Sequence, residues 1–205
     1  MKLFVTGTDT DVGKTIFSAA LSGALKAHYW KPIQAGTIEH GDSDTIRNLS
    51  GNPPTMVLAE AYRLNTACSP HRAAELDSLK INADELQLPR LDPLVVEGAG
   101  GLLVPITRDI LLVDIVARWQ LPVVLVARTT LGTINHSLLS IEAIRSRNMP
   151  LLGIAFIGEP NPDSEEVICA FGGAKRLGRL PIIDPLDGST LAQAFADNFR
   201  LEDFR

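Results

Sequence analysis

The chain has 205 residues, of which 45% are hydrophobic and 21% are charged, and its formal net charge is −5. This length predicts one domain, residues 1–205, with a full hydrophobic core. The acidic balance argues against a broad nucleic-acid-binding surface, and the apolar runs are too short to span a membrane. The first residues do not predict a secretory leader, and Cys68 and Cys169 lie outside any metal-binding motif. We therefore expect a cytoplasmic protein with two buried free thiols.

Short apolar runs alternate with helical patterns along the chain. The candidate strands are Lys2–Thr6, Tyr29–Lys31, Leu94–Glu97, Pro122–Ala127, Leu152–Ile157 and Gly178–Pro181. Apolar residues at helical spacing predict helices from Lys14, over Ile134–Ile144 and after Asp187. Strands that are apolar throughout and alternate with helices predict a doubly wound α/β fold. Its sheet is mostly parallel, with helices on both faces. Two polar stretches, Gly36–Asp44 and Gly51–His71, predict irregular loops.

The segment between the first strand and the first helix is Gly7–Thr15, with the sequence GTDTDVGKT. This is the context that a phosphate-binding loop requires. Backbone amides and the helix start would bind phosphate oxygens. Lys14 would bind the β- and γ-phosphates, and the Thr15 hydroxyl would bind Mg²⁺. Thr8 stands where the common pattern has its first glycine.

Two acidic residues of this loop, Asp9 and Asp11, are unusual in a segment that binds a polyanion. They either accept hydrogen bonds from loop amides and cap the helix, or lie near amines or a metal ion. The sequence leaves both interpretations open.

Three charged residues mark the segments after other strands. Lys31 follows the second strand, where ligands bind in open parallel sheets. Glu97 ends an apolar strand ahead of Gly98–Gly101 and resembles the acidic metal residue of nucleoside triphosphatases. Asp44 either caps a short helix or binds a metal ion. Thr15, Asp44 and Glu97 together would suit Mg²⁺, which takes few carboxylates along with phosphate oxygens and waters.

The segment Thr130–His136 follows another apolar strand and opens a helix. Amides at such a helix start bind anions, for example a carboxylate, although ordinary capping is the alternative. We interpret His136 as a packing residue. His71, in the loop Ser69–His71, is a candidate for lining the site.

Taken together, these motifs resemble the dethiobiotin synthetase family of the P-loop NTPase superfamily. The matching segments, in the order of the family, are Gly7–Thr15, Lys31–Gly36, Ser43–Asp44, Ser69–His71, Glu97–Gly101 and Gly132–His136. They extend over nearly the whole chain. The resemblance implies an ATP-dependent cyclo-ligase that converts 7,8-diaminononanoate and CO₂ into dethiobiotin during biotin biosynthesis. It also implies Mg²⁺ as cofactor and a homodimer without nucleic-acid or membrane partners.

The resemblance also implies a role for individual residues. Those that handle the carbamate and the transferred phosphate are Thr10, Lys14 and Lys31. Those that bind the nucleotide are Asp11, Val12, Gly13, Lys14, Thr15, Glu97, Gly98 and Gly100. Those near Mg²⁺ are Thr15, Asp44 and Glu97. Those that bind the diamine substrate are Lys31, Ala35, Thr37, Gly132, Thr133, Ile134 and Asn135. Of these, the Gly132–Asn135 turn would receive the carboxylate across a dimer interface.

The chain departs from the family pattern at three places. Ala35 stands where Ser or Thr is usual, so one substrate hydrogen bond is either lost or made by Thr37. The segment Phe156–Pro160 lacks the Asn that often reads adenine. The stretch Ile81–Pro93 is short, which predicts a trimmed helix.

The rival interpretation is a nucleotide-switched P-loop ATPase of the type that partitions plasmids or places septa. Such proteins usually carry a second lysine early in the loop, where this chain has Thr6–Thr8. They also often have a basic or amphipathic tail, whereas Asn198–Arg205 is short and mixed in charge.

Overall fold

The computed structural model describes residues 1–37 and 41–205. Residues 38–40, which belong to the predicted irregular segment Gly36–Asp44, lie outside the described part. The strands are β1 Lys2–Gly7, β2 His28–Trp30, β3 Ile33–Ala35, β4 Tyr62–Leu64, β5 Leu94–Gly101, β6 Val123–Arg128, β7 Leu151–Ile157 and β8 Arg176–Leu180. The α-helices are α1 Lys14–Leu25, α2 Asp42–Leu49, α3 Pro70–Leu76, α4 Leu112–Trp119, α5 Thr133–Arg145, α6 Pro162–Gly172 and α7 Gly188–Asn198.

Within the described residues, six strands form a parallel sheet in the order β2-β5-β1-β6-β7-β8. A second, smaller parallel sheet pairs β3 with β4. The chain moves outward from the central β1 in both directions, toward β5 and β2 on one side and toward β6, β7 and β8 on the other. The predicted doubly wound α/β fold is therefore confirmed. In such sheets ligands bind beyond the carboxyl ends of the strands, beside the point where the strand order reverses.

Successive residues of β1 pack against helices on opposite faces of the sheet, because side chains alternate along a strand. Leu3 and Val5 lie in a buried cluster with residues of α1 and α7, including Phe17. Phe4 lies in a second cluster with residues of α4, including Val113. Helices thus cover both faces, and this burial fixes the carboxyl end of β1 and the loop that follows it.

The pairing of β2 with β5 determines which side chains meet at the site. Tyr29 pairs with Val95, and Trp30 pairs with Val96. The residues that follow the second pair are Lys31, just past the end of β2, and Glu97 within β5. The register therefore brings a lysine and a glutamate side by side at the same edge of the sheet.

Several expectations need correction. The predicted loop Gly51–His71 contains β4 and the start of α3, because a three-residue strand is too short to give a periodic pattern. Lys31 lies just outside β2 rather than within it. Both cysteines are free, as expected, but Cys68 is exposed and Cys169 is half-buried.

The expected trimmed helix between Ile81 and Pro93 is a short 3-10 turn over Ala83–Glu85. In residues 1–37 and 41–205, we find no helix with the length and apolar character needed to cross a membrane.

Candidate active site

The loop after β1 ends at Gly13, whose backbone lies in the left-handed region with φ 92°. A Cβ at this position would lie 2.7 Å from Cδ1 of Ile157. The position therefore favours glycine both for its backbone conformation and for its close packing. No side chain of the described residues caps α1. The amides of its first turn are consequently available for phosphate oxygens.

Lys14, the first residue of α1, is buried, and its Nζ donates a hydrogen bond to the carbonyl oxygen of Asp9 at 2.8 Å. Burial lowers the pKa of Lys14, and the nearby charge of Lys31 lowers it further, while Glu97 opposes this shift. The side chain folds back over the loop, which places its charge where a bound phosphate would lie.

Glu97 is fully buried at the point where β5 passes the loop. Its Oε1 accepts hydrogen bonds from the Thr15 hydroxyl at 2.9 Å and from Lys31 Nζ at 3.0 Å. Its Oε2 accepts one from the Tyr29 hydroxyl at 3.1 Å. A buried carboxylate is tolerated when it has such partners.

Lys31 is also buried and lies between two carboxylates, because its Nζ forms ion pairs with both Glu97 and Asp42. Burial disfavours the charged form of Lys31, but the carboxylates of Glu97 and Asp42 outweigh burial and raise its pKa. The side chain is therefore an ammonium at neutral pH, suited to stabilising an anion in the cavity beside it.

Lys14, Thr15 and Lys31 line a cavity of about 770 Å³, whereas the fully buried Glu97, which Thr15 and Lys31 contact, does not line it. Its lining residues are Thr10, Asp11, Gly13, Lys14, Thr15, Ile16, Lys31, Gln34, Ala35, Asp42, Ala67, Cys68, Ser69, Pro70, Ala99, Gly100 and Val104. These residues belong to the phosphate loop, the segment after β2, the turn before α3 and the end of β5 with the loop that follows it. The cavity has the volume of a typical small-molecule site.

Oxygens at this cavity and directly behind Thr15 fit a magnesium ion. Thr15 and Glu97 already hold their side-chain oxygens 2.9 Å apart, and Asp42 adds a carboxylate at the cavity wall. Among the residues that the structure describes, no group of three or more His, Cys, Asp or Glu side chains forms a metal cage. Mg²⁺ bound with a nucleotide needs no such cage, because phosphate oxygens and waters complete its coordination.

Asp44, predicted near the metal, does not line this cavity. Its carboxylate accepts a hydrogen bond from the Gly41 amide at 3.1 Å and pairs with Arg47 at 2.7 Å. The Gly41 amide, together with Arg47, lowers the pKa of Asp44. The helix cap and the metal ligand were both open interpretations, and in this structure Asp44 caps α2 while Asp42 faces Lys31.

The other residues assigned to nucleotide or substrate are distributed unevenly. Ala35 and Gly100 line the cavity. Val12 is buried in the core beside α1, and Gly98 is packed against Phe4 and Leu112. The Thr37 hydroxyl bonds the Leu64 carbonyl at 3.3 Å, away from the cavity wall.

The turn at Gly132–Asn135 does not line the cavity of its own chain. Gly132 has φ 93°, and no side chain of the described residues caps α5. The amides at this helix start are thus suited to an anion. Leu131, beside them, is fully exposed.

One contact of the phosphate loop does not follow from the sequence pattern. Arg128, at the end of β6, pairs with Asp9 at 3.3 Å, which supplies the cation that the acidic loop suggests.

Two other polar residues near strand ends and loops do not line the cavity. Asn161 follows β7, and its amide donates to the Thr129 carbonyl while its oxygen caps α6. His71 does not line the cavity, whereas its neighbours Ser69 and Pro70 do.

A family model described as an AAA domain matches residues 1–190. The ATP-dependent dethiobiotin synthetase BioD of Novosphingobium aromaticivorans is 62% identical over 200 residues, covering 98% of this chain and 97% of that protein. The BioD protein of Rhodopseudomonas palustris strain BisB18 is 57% identical over 204 residues, covering 99% of this chain and 98% of its own.

The chain belongs to the ATP-dependent dethiobiotin synthetase family. The family predicted from the sequence motifs is therefore confirmed. Among solved structures, the MinC:MinD cell division protein complex of Aquifex aeolicus has a chain that matches with a TM-score of 0.52 and 15% identity. The match covers 94% of this chain and 86% of that one. A likeness at this identity supports the P-loop fold alone and gives no support to the rival septum-placement function.

Proposed function

We propose that this chain is an ATP-dependent dethiobiotin synthetase. It carboxylates 7,8-diaminononanoate with CO₂, phosphorylates the carbamate with ATP and closes the ureido ring to give dethiobiotin, ADP and phosphate. The observation that carries this proposal, beside family membership, is the contact of Lys31 with Glu97 at 3.0 Å at the edge of the phosphate-loop cavity. A cation for the carbamate thus lies next to the residues for the phosphates.

Nucleotide binding rests on the loop from Gly7 to Thr15. The uncapped amides of α1 and its dipole favour the phosphates, and Lys14 supplies a positive charge. We propose that Thr15 and Glu97 hold Mg²⁺, which would neutralise charge on the phosphate oxygens. Asp42 or Asp44 would add a carboxylate, and Asp42 already faces the cavity.

The chemistry begins with attack of a neutral amine of the diamine on CO₂, because an ammonium has no lone pair. The product is a carbamate anion, and the Lys31 ammonium and the Thr10 hydroxyl are the cavity groups suited to stabilise it. A carbamate oxygen then attacks the γ-phosphorus of ATP, and ADP leaves. In this step the protein mainly positions the reactants and balances charge.

Ring closure needs no nucleophilic side chain. The second amine attacks the carbonyl carbon of the carbamic-phosphoric anhydride and expels phosphate. Because both amines belong to one bound molecule, the step is intramolecular, for which effective molarities reach about 10⁵ M or more. The role of the protein is to hold the diamine in the right orientation and to exclude water.

We also propose that the active form is a homodimer. The α5 start does not line the cavity of its own chain, and the large apolar side chains Leu103, Leu131 and Leu139 are exposed near it. A second copy would cover these side chains and bring its Gly132–Asn135 amides to the carboxylate of the diamine.

The proposed location is the cytoplasm. Free thiols at both cysteines support such a reducing compartment.

One assay tests the proposed activity. Phosphate release is measured with ATP in the presence and absence of 7,8-diaminononanoate and bicarbonate, and mass spectrometry detects the cyclised product. We expect phosphate release to depend on both additions and to match dethiobiotin formed. A rate of phosphate release that is the same with and without the diamine would instead favour a nucleotide-switched ATPase.

A further inference from the structure

The buried phenol of Tyr29 contacts the active site from inside the core. Tyr29 lies in β2, within the apolar cluster between the sheet and α1. Its hydroxyl donates to Oε2 of Glu97 at 3.1 Å. The partners of the other oxygen, Thr15 and Lys31, both line the cavity. The Glu97 carboxylate is therefore held from the core on one oxygen and from the cavity on the other.

This arrangement determines the orientation of the carboxylate. Without the phenol, Oε2 would be a buried acceptor that lacks this partner, and such an atom costs free energy. The carboxylate would then gain by rotating until both oxygens share the Lys31 and Thr15 donors, and this rotation would move Oε1 from its present position.

We propose that Tyr29 is a positioning residue that fixes Glu97 so that Oε1 faces Thr15 and Lys31, in the orientation that binds Mg²⁺. The proposal rests on the proposed role of Glu97 at the metal. Groups that hold a metal-binding side chain in place typically change metal affinity by about 10- to 100-fold. Tyr29 is expected to fall in this range, because its bond is buried and reaches the carboxylate directly.

The test is the substitution Tyr29→Phe, which removes the hydroxyl and keeps the ring. Calorimetric titration of Mg²⁺ into the complex of the protein with ADP should show affinity about tenfold weaker or more. ADP binding in the presence of EDTA should be unchanged. The matched control is Tyr62→Phe, since the chain has two tyrosines and the Tyr62 hydroxyl bonds Glu85 and the Asn82 amide away from the cavity. Equal Mg²⁺ affinities in the two variants would overturn the proposal.

A third variant, Glu97→Gln, separates this proposal from the one on which it rests. If Glu97→Gln leaves Mg²⁺ affinity unchanged, Glu97 does not bind the metal and the proposed site itself is wrong. If Glu97→Gln weakens Mg²⁺ binding but Tyr29→Phe matches Tyr62→Phe, the role of Tyr29 alone is wrong.

A second measurement keeps the proposal testable even if Tyr29→Phe does not fold. The unsubstituted chain is labelled with 3-fluorotyrosine, and the two fluorine signals are assigned with Tyr62→Phe. We expect the Tyr29 signal to shift when Mg²⁺ is added to the ADP complex and the Tyr62 signal to stay in place. A Tyr29 signal that does not respond to Mg²⁺ would contradict the proposal.

Discussion

At the scale of single residues, the site is a group of charges that depend on one another. Glu97 is fully buried and Lys31 nearly so, and they pair at 3.0 Å. Removing one partner of a buried pair leaves the other charge without compensation, which costs more than the pair itself contributes. A substitution at this pair should therefore change both the chemistry and the stability of the protein.

We predict that Lys31→Met abolishes diamine-dependent phosphate release and lowers the free energy of unfolding by about 3 kcal/mol. Adding Glu97→Gln should restore much of the stability without restoring turnover, because the unpaired buried charge is then gone. Urea unfolding gives the free energies, and two effects that simply add would contradict this coupling. Lys14→Met serves as a comparison, since it should weaken ATP binding in calorimetry, whereas Lys31→Met should not.

A second prediction concerns the two aspartates at the start of α2. Asp42 faces the cavity and Lys31, while Asp44 is turned onto Gly41 and Arg47. Asp42→Asn should therefore raise the Mg²⁺ concentration needed for half-maximal turnover, and Asp44→Asn should mainly lower the melting temperature. The reverse pattern would mean that Asp44 leaves its cap when substrates bind.

The sequence locates Lys14, Lys31 and Glu97 because each stands where an apolar strand or a glycine-rich loop ends, and strand ends meet at one edge of a parallel sheet. It points to Asp44 and not to Asp42, which is the carboxylate that lines the cavity. That choice depends on where α2 begins, and helix boundaries are not fixed by composition within one or two residues. The contact of the Tyr29 hydroxyl with Glu97 is likewise not predictable from the sequence, since a tyrosine in an apolar strand is interpreted as a core residue.

At the scale of elements, two helices begin in the same way. α1 follows Gly13 and α5 follows Gly132, and these glycines have φ values of 92° and 93°. Their surroundings differ, because a Cβ at Gly13 would lie 2.7 Å from Ile157, whereas a Cβ at Gly132 would meet nothing within 4 Å. Substituting each glycine in turn therefore separates the free-energy cost of the left-handed backbone conformation from the cost of close packing.

We predict that Gly132→Ala lowers the free energy of unfolding by about 1–2 kcal/mol, the usual cost of a left-handed alanine. Gly13→Ala should cost clearly more and should also weaken ATP binding, because Ile157 or the loop must move. Chemical unfolding and calorimetry measure the two effects. Equal losses of stability in the two variants would show that the Ile157 side chain moves aside without a free-energy cost.

Most of the long elements follow from the sequence pattern, and the shortest ones do not. Strands such as Val123–Arg128 are apolar throughout, as expected for strands covered on both faces. The three-residue strands β3 and β4 carry no such pattern, since their pairing depends on contacts between distant segments. The prediction also omits α4 and α6, although Asn161 and Pro162 supply a cap and a first-turn proline for α6.

At the scale of the whole molecule, the turn proposed to bind the substrate carboxylate, residues 132–135, does not line the cavity of its own chain. Lys14 lines the cavity, and Asn135, at the exposed start of α5, does not. In a symmetric dimer, each cavity would combine Lys14 of one protomer with the α5 start of the other. The family membership that follows from the sequence does not by itself fix this assembly, because an interface is a property of two surfaces.

The dimer leads to a test by complementation. Lys14→Met removes the phosphate-binding lysine, and Asn135→Asp places a negative charge where the substrate carboxylate would bind. An acidic residue in the first turn of a helix is favourable, so the second variant should fold. Each variant alone should be nearly inactive at low diamine concentration. When equal amounts are unfolded together and refolded, half of the dimers are mixed, and each mixed dimer has one cavity with neither substitution. We therefore expect roughly a quarter of the cavities to be active, with sedimentation analysis reporting the dimer fraction. No recovery of turnover in a sample that is dimeric would show that each chain supplies its own carboxylate site.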